Sequence, residues 1–277
     1  MDREIAASLE AYAGTDEEFV ERAFREILRR PADEESRTRA LGMLAARTST
    51  QTQGDGVVEI PWVLSRLVPS GRVVEVGYAY AEAAYLAGLL RGGVELVGVD
   101  LAERDVEGME RVTADVRSLS LPDDSVDQVL LVSTLEHVGA DNTDYGLDAE
   151  DDPGSRADGL RELRRVLAPN GSLLVTVPLG EPGDHGWFRL DDVPGWTTLF
   201  TSAGFFVEEQ ETYELTGEGW RSVPSFDPQG VGYGDRGPAA SAVLCTELSP
   251  GRLRRLATPG GLARTVKRRT RAVRHRG

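Results

Sequence analysis

Short apolar runs recur along the middle of the chain and alternate with segments of helical periodicity. The run at residues 72–76 is apolar apart from Arg72 and Glu75; a turn, a helical stretch and a second apolar run follow, ending at Asp100. Runs without polar alternation are typical of strands buried on both faces of a parallel sheet. The pattern therefore predicts an α/β fold.

The same periodicity gives the bounds of the expected elements. We predict strands at 72–76, 95–99, 111–113, 128–133, 172–177, 205–211 and 242–247. Helices are predicted at 57–67, 81–90, 156–167 and 193–203, and the stretch rich in Gly and Pro at 217–238 is predicted to be a long loop. The predicted fold class is a Rossmann-like wound, mostly parallel sheet of about seven strands with helices on both faces, plus a small N-terminal helical region.

Three regions differ in composition. Residues 1–50 are predicted to form a helical N-terminal module, which begins a helix at the capping box Thr15-Asp-Glu-Glu18. This module resembles the phycobilisome-linker-like helical modules that lie beside bacterial carbohydrate-modifying domains; a helical cap on the main domain is the alternative. Residues 51–248 form the main domain, and residues 249–277 a basic tail that we predict to be flexible.

The charge of the chain is unevenly distributed. From Pro250 to Gly277 there are ten Arg and Lys and no Asp or Glu; the whole chain has a formal charge of −15, so the rest carries −25. An acidic body disfavours nucleic acid as a partner and leaves the tail to make any contact with an anionic membrane or an acidic partner. The single lysine, Lys267, lies in that tail, which excludes lysine-dependent chemistry from the main domain.

The remaining composition predicts a cytoplasmic protein, with peripheral membrane contact through the tail left open. The acidic N-terminus lacks the apolar segment of a secretory signal, and no run of about 18 apolar residues occurs. The single cysteine, Cys245, cannot form a disulfide within the chain, which fits a reducing compartment.

A carboxylate at a strand tip beside a glycine turn is the first chemical signal. Gly77 follows the first predicted strand, and Asp100 ends the second. In wound parallel sheets an acidic side chain at this place can accept both ribose hydroxyl protons of a nucleoside.

Five segments in order resemble the class I S-adenosylmethionine-dependent methyltransferases, over roughly residues 60–248. These are Glu75-Val-Gly77, with Asp100 after it; Thr113-Ala-Asp115 with Leu119-Ser-Leu-Pro-Asp-Asp-Ser-Val-Asp127; Gln128-Val-Leu-Leu-Val-Ser-Thr-Leu-Glu-His137; Arg161-Glu-Leu-Arg-Arg-Val-Leu-Ala-Pro-Asn-Gly171; and Ser172-Leu-Leu-Val-Thr-Val-Pro178. The resemblance implies S-adenosylmethionine as the cofactor.

The resemblance also implies a role for each motif residue. Glu75 would face the amino group of the methionine part, directly or through water, and Gly77 would let the backbone approach the cofactor. Asp100 would hold the ribose, and Asp115 the exocyclic amine of adenine. The predicted cofactor-binding residues are Glu75, Gly77, Tyr78, Ala79, Asp100, Leu101, Asp115, Val116 and Ser133. Residues 133–137 would line the side of methyl transfer.

Two departures from the family pattern affect this interpretation. Where further glycines are usual, Gly77 is followed by Tyr-Ala-Tyr-Ala, and alanine does not adopt positive φ easily. Only 14 residues separate Asp100 from Asp115, which leaves room for at most a short helix and predicts an adenine side that differs from the family pattern.

The candidate catalytic bases are His137 and His185, because both follow predicted strands at their carboxyl ends. Between them, residues 141–152 carry six acidic side chains. A lid that holds a divalent metal is one interpretation, but a solvated acidic loop is favoured because no metal-loop spacing is present, so we predict no metal residues.

The sequence thus predicts a methyltransferase that acts on a small acceptor, with an oxygen of a sugar, glycan or natural product as the expected methyl acceptor. The alternative is a methyltransferase-like module that has lost catalysis and serves as a binding or scaffold subunit. The alanines after Gly77 motivate that alternative.

Overall fold

The computed structural model describes residues 54–143, 151–152, 154–217, 219–237 and 239–251. The predicted N-terminal helical module and nearly all of the basic tail lie outside these residues, as does most of the acidic loop.

The main domain alternates strands and helices, as the apolar pattern predicts. The strands are β1 (Arg72–Val76), β2 (Glu95–Asp100), β3 (Glu110–Thr113), β4 (Val126–Val132), β5 (Leu167–Pro178), β6 (Gly183–Asp184), β7 (Arg189–Leu190), β8 (Phe205–Thr216), β9 (Gly219–Val223) and β10 (Ala242–Pro250). The α-helices are α1 (Gly56–Leu64), α2 (Ala83–Arg91), α3 (Ser155–Val166) and α4 (Val193–Ser202), and a 3₁₀ turn spans Leu135–His137.

Eight strands form one sheet in the order β3-β2-β1-β4-β5-β10-β8-β9. Strands β1 to β5 pair in parallel, whereas β10 is antiparallel to both β5 and β8, and β9 is antiparallel to β8. This confirms the predicted Rossmann-like, mostly parallel sheet. Residues 101–109, which join β2 to β3, contain no helix, in keeping with their short length.

The prediction of a long loop over residues 217–238 is wrong in part, because β9 lies within it and supplies the eighth strand of the sheet. Strand β8 extends to Thr216 and turns directly into β9, where Trp220 pairs with Leu215 and is buried. The many Gly and Pro residues at 217–238 are typical of a loop, so the sequence pattern did not reveal this five-residue strand.

Helices cover both faces of the sheet, and successive strand residues point to opposite faces. Val73 packs in the core that α1 and α2 cover, whereas Val74 and Val76 pack in the core that α3 and α4 cover. Because side chains alternate along a strand, Glu75 points toward α1 and α2. Helix α1 therefore lies over the same face of β1 as Glu75, a relation that shapes the site below.

Among the described residues, no helix combines the length and the apolar composition that crossing a bilayer needs.

Candidate functional site

A cavity of about 410 Å³ lies at the carboxyl ends of β1, β2 and β4, with the start of α1 on its other side. Ligands of wound parallel sheets bind at this edge. Eight of the predicted site residues line the cavity: Glu75, Gly77, Asp100, Leu101, Asp115, Val116, Ser133 and His137. Three predicted site residues, Tyr78, Ala79 and His185, are not among its lining residues.

Gly77 is required at the turn after β1. Its φ is +90°, and a Cβ at this position would lie 2.5 Å from Oγ1 of Thr134. Its backbone N–H donates to the Val99 carbonyl oxygen at 2.9 Å, which ties the turn to β2. Any larger residue would therefore meet both a strained backbone and a steric clash.

The alanines after Gly77 are compatible with this turn. Of residues 77–81, only Gly77 has a positive φ, so Ala79 and Ala81 occupy ordinary backbone conformations. Arg104 Nη1 donates to the carbonyl oxygens of Ala81, at 2.5 Å, and Ala79, at 3.4 Å. The turn is thus held by a side chain from the β2–β3 connection that the sequence motifs did not reveal.

Tyr78 and Ala79 have other roles than the predicted lining of the cofactor site. The Tyr78 side chain is fully buried, and its ring packs so close to Gly98 on β2 that a Cβ there would lie 2.7 Å away. Ala79 contributes through its backbone N–H, which donates to Asp100 Oδ2 at 3.0 Å. Tyr78 points into the core because Gly98 leaves room for its ring.

Asp100 joins the turn to the end of β2. Its Oδ2 accepts from Ala79 and its Oδ1 accepts from the Ala102 N–H, each at 3.0 Å. A carboxylate has about four acceptor sites, so two remain after these bonds. Next to it, Leu101 is 48% exposed and lines the cavity, where an apolar side chain can cover the face of a purine.

Asp115 is paired with a residue of its own loop. Arg117 donates from Nε to both carboxylate oxygens at 2.9 Å, and from its backbone N–H at 2.8 Å. Burial alone would raise the pKa of Asp115, but these hydrogen bonds outweigh it and hold the pKa below its usual value. Asp115 therefore lines the cavity as an ionised carboxylate, and Arg117 occupies part of its hydrogen-bond acceptor capacity.

Glu75 lies at the floor of the cavity and is only 1% exposed. The Tyr85 hydroxyl on α2 donates to its Oε2 at 2.9 Å. Burial raises the pKa of Glu75 well above its usual value, although the Tyr85 hydrogen bond works in the opposite direction. A cation in the cavity would favour the ionised form of this carboxyl.

Two acidic residues of α1, Asp55 and Glu59, line the same cavity and were not predicted. Asp55 caps the helix and accepts from the Gly56 N–H at 3.0 Å. Glu59 is 2% exposed, and its Oε1 accepts from the Ser133 hydroxyl at 2.8 Å. The sequence feature that could have pointed to them is the spacing of two acidic residues one helical turn apart on an otherwise apolar helix.

His137 lines the cavity at the end of the 3₁₀ turn. Its Nδ1 lies 2.8 Å from the Trp187 carbonyl oxygen, which can only accept, so Nδ1 carries the proton and Nε2 carries the lone pair. Burial lowers the pKa of His137 below its usual value, against the opposing effect of this hydrogen bond. The ring is thus a neutral imidazole at pH 7, and its Nε2 can accept a proton.

The structure places the second candidate base elsewhere. His185 is exposed, lies in the β6–β7 hairpin and stacks on Phe188 with ring centroids 4.7 Å apart. Its place after β5 had suggested a side chain in the cavity, but the chain turns back on itself in this hairpin and leaves the ring outside. His185 is therefore not supported as a catalytic residue.

The later aromatic residues do not form one cluster. The Trp187 ring stacks on the His137 ring, with the ring centroids 5.1 Å apart, and contacts the rings of Phe188 and Tyr233. These rings therefore lie behind His137. Trp196 and Trp220 are instead buried in the two cores, one on each face of the sheet.

Within the described part of the chain, no group of three or more His, Cys, Asp or Glu side chains is arranged to hold a metal ion. The acidic loop at residues 141–152, for which a solvated loop was favoured over a metal-holding lid, falls largely outside that part, at residues 144–150.

The donor set of the cavity fits S-adenosylmethionine. Asp100 offers acceptors for ribose hydroxyls, Gly77 leaves space for close approach, and Glu75 and Glu59 offer acceptors for an ammonium group. Helix α2 begins at the cavity without a side-chain cap, so its first N–H groups suit a carboxylate. Along the edge of the sheet, these features lie in the same order as the ends of the strands, from β2 through β1 to β4.

Comparisons with known proteins support the same class. Residues 74–175 match the model of the methyltransferase domain family. No curated protein sequence matches the chain.

Solved structures with a related fold include three methyltransferases. The 1,6-didemethyltoxoflavin N1-methyltransferase of Burkholderia thailandensis, solved with that compound and S-adenosylhomocysteine, is 18% identical over 65% of this chain and 71% of that chain, with a TM-score of 0.46. A possible histamine N-methyltransferase of Thermotoga maritima is 22% identical over 70% and 87%, with a TM-score of 0.44. An S-adenosylmethionine-dependent methyltransferase of Methanosarcina mazei is 14% identical over 68% and 96%, with a TM-score of 0.46.

At these identities the likenesses carry no information on the acceptor of this chain. The family model covers the glycine turn, Asp100 and the strand that leads to His137. Residues 74–175, which make up less than half of the chain, are therefore similar to a methyltransferase domain.

Proposed function

We propose that the protein transfers a methyl group from S-adenosylmethionine to an oxygen of a small acceptor, such as a sugar, a glycan or a natural product. The observation that carries this proposal is the placement of Asp100 and His137 on one cavity, with Glu75 and Gly77 between them. A ribose ligand at β2 and a base at β4 suit a cofactor that extends along the strand tips toward an acceptor.

His137 is the residue that fits the role of base. S-adenosylmethionine supplies an electrophilic methyl group on its sulfonium. A hydroxyl nucleophile loses its proton as it attacks, and Nε2 of a neutral imidazole can take that proton. The Trp187 carbonyl fixes the tautomer that this role needs, and the stacked Trp187 ring restrains the orientation of the imidazole.

The charges of the cavity support an acceptor without negative charge. Six acidic residues line it: Asp55, Glu59, Glu75, Glu82, Asp100 and Asp115. Among the described lining residues, Arg117 is the only Arg or Lys, and Asp115 already binds it. The described lining residues therefore leave no Arg or Lys to bind a phosphate or carboxylate of the acceptor, whereas hydroxyl groups find many hydrogen-bond acceptors.

A catalytically degenerate scaffold is the other candidate, and its motivation was the pair of alanines after Gly77. The turn requires positive φ only at Gly77, and Arg104 and Asp100 hold the rest. The alanines are therefore compatible with cofactor binding, which favours the enzyme over the scaffold.

The first test is calorimetric titration with S-adenosylhomocysteine. We expect saturable binding at a single site; no heat of binding with folded protein would favour the scaffold. A panel of hydroxylated acceptors with methyl-labelled S-adenosylmethionine then identifies turnover.

The role of His137 is tested on the acceptor so found. We expect His137→Gln to lower kcat by about 100-fold, because general bases contribute 10²–10⁴-fold, and to leave the Kd for S-adenosylhomocysteine within about twofold. The acid limb of the kcat profile should lie below pH 6.5, since the pKa of His137 is lowered. His185→Gln is the matched control and should retain parent activity; equal losses in the two variants would contradict the assignment.

A further inference from the structure

We infer that Glu59, on helix α1, is a second carboxylate that binds the ammonium group of the cofactor, from the side of the cavity opposite Glu75. This inference rests on the proposed cofactor. It assigns a binding role to a helix that lies before the family match and before β1.

The fold brings Glu59 and Glu75 to the same part of the cavity. Glu75 points to the face of β1 that α1 and α2 cover, and Glu59 approaches that face from α1. Both residues lie near the Tyr85 hydroxyl of α2, which donates a hydrogen bond to Glu75. Burial raises the pKa of Tyr85, and the carboxyls of Glu75 and Glu59 add to that shift. An ammonium group between two such carboxyls would donate to both.

Glu59 is also held in a fixed position. The Ser133 hydroxyl donates to its Oε1 at 2.8 Å, and Ser133 directly follows β4 with a φ of +41°, a conformation that is uncommon outside glycine. The Ser133 N–H in turn lies 3.2 Å from Oγ1 of Thr176 on β5. The carboxyl of Glu59 is thus anchored to two strands and presented at the cavity wall.

The charge on this side of the cavity calls for a cation that the described protein residues do not supply. Glu59 and Glu75 are buried, Asp55 is partly buried, and the one arginine that lines the described cavity pairs with Asp115. A buried carboxylate is costly unless an opposite charge pairs with it. The ammonium group of the cofactor would bring that charge.

The titration behaviour of these groups agrees with the geometry. Burial, with a further contribution from the charge of Asp55, raises the pKa of Glu59 to about 8. Near neutral pH the acid therefore carries little of its negative charge in the empty cavity, and a bound cation favours its ionisation.

A purely structural role is the competing explanation, since Glu59 also ties α1 to β4 through Ser133. The affinities for two ligands distinguish the two roles. S-adenosylhomocysteine carries the ammonium group, whereas 5′-methylthioadenosine lacks the whole amino acid part. A residue that binds the ammonium affects only the first ligand, whereas a residue that shapes the cavity affects both.

The experiment is calorimetric titration of both ligands into the parent, Glu59→Gln and Glu136→Gln. Glutamine keeps an oxygen that can accept from Ser133, so the fold should survive. Glu136 is the matched control, because it is equally buried, at 3% exposure, yet does not line the cavity. A charge-assisted hydrogen bond corresponds to at least about tenfold in affinity.

We expect Glu59→Gln to weaken S-adenosylhomocysteine by at least about tenfold and methylthioadenosine by less than about twofold, while Glu136→Gln leaves their ratio unchanged. Equal losses for both ligands, or no loss for either, would overturn the inference while the proposed function stands. Failure of the parent to bind S-adenosylhomocysteine would overturn both.

A crystal structure of the parent with S-adenosylhomocysteine is the second measurement. We expect a Glu59 oxygen within about 3.2 Å of the amino nitrogen. An amino group that contacts Glu75 alone would overturn the role of Glu59.

Discussion

The two ends of the cavity hold their carboxylates in opposite ways. At the end near β2 and β3, Asp100 accepts from two backbone N–H groups, and Asp115 accepts from the Arg117 guanidinium. At the end near α1 and β1, Glu59 accepts from the hydroxyls of Ser133 and Thr176, and Glu75 accepts from the hydroxyl of Tyr85. The pKa of Asp115 is lowered accordingly, whereas the pKa values of Glu59 and Glu75 are raised.

This difference indicates two modes of binding within one cavity. Asp115 carries its charge before any ligand arrives, and with Asp100 it presents acceptors in fixed directions, as recognition of neutral hydroxyl and amino groups requires. The two glutamates are buried, and among the described residues that line the cavity the only Arg or Lys is Arg117, which pairs with Asp115, so their ionisation depends on the ligand. A cofactor with a neutral nucleoside and a cationic amino acid part is complementary to both ends.

The largest effect is expected at the end near β2 and β3, which we call the preorganised end because hydrogen bonds already hold Asp100 and Asp115 in place. Asp100→Ala should weaken S-adenosylhomocysteine by about 100-fold, or about 3 kcal/mol, because it removes the acceptors for two ribose hydroxyls and frees the Ala79 N–H of the turn. Isothermal titration measures the change. Asp105→Ala, on the exposed β2–β3 connection, is the control and should bind as the parent does. Parent-like binding by Asp100→Ala would show that this end does not hold the ribose.

The next effect concerns stability at the other end. The pKa of Glu59 is about 8 in the folded protein against an ordinary 4.5, so between these values the folded state binds more protons than the unfolded state. The free energy of unfolding therefore falls as pH rises from 4.5 to 8. Relative to the parent, Glu59→Gln should gain about 3 kcal/mol between pH 5.5 and 9, as measured by urea unfolding.

Glu162→Gln is the opposite case and the control for this measurement. The pKa of Glu162 is lowered by hydrogen bonds from Arg165, so its stabilising contribution is already complete above pH 4.5 and is lost only in more acidic solution. Its difference from the parent should be constant between pH 5.5 and 9. If the Glu59→Gln difference is equally constant, the contrast between the two ends of the cavity does not hold.

The preorganised end could largely be predicted from the sequence, since strand tips follow directly from apolar runs. Gly77 and Asp100 lie within or directly after β1 and β2, whose bounds the pattern gave almost to the residue. The other end depends on tertiary contacts: Glu59 meets Ser133 across 74 positions of chain, and no local pattern encodes that approach.

Side-chain direction accounts for the remaining differences. Tyr78 lies in the predicted turn but fills the space above Gly98, and His185 follows β5 but leaves the cavity in a hairpin. Both residues lie in the chain segments predicted for them, Tyr78 after β1 and His185 after β5. What the sequence did not give was the direction in which a loop residue points, because this depends on the space left by neighbouring elements.

The smallest effect is expected for Asp115, and it tests how far the preorganised end extends toward adenine. Asp115→Asn should weaken S-adenosylhomocysteine by about fivefold, or about 1 kcal/mol, because one amide oxygen can still accept where two carboxylate oxygens did. S-inosylhomocysteine, which lacks the exocyclic amine, separates two explanations. If Asp115 accepts from that amine, the substitution should leave the affinity for the inosine analogue almost unchanged. Equal losses for both ligands would mean that Asp115 acts by holding Arg117 and its loop in place.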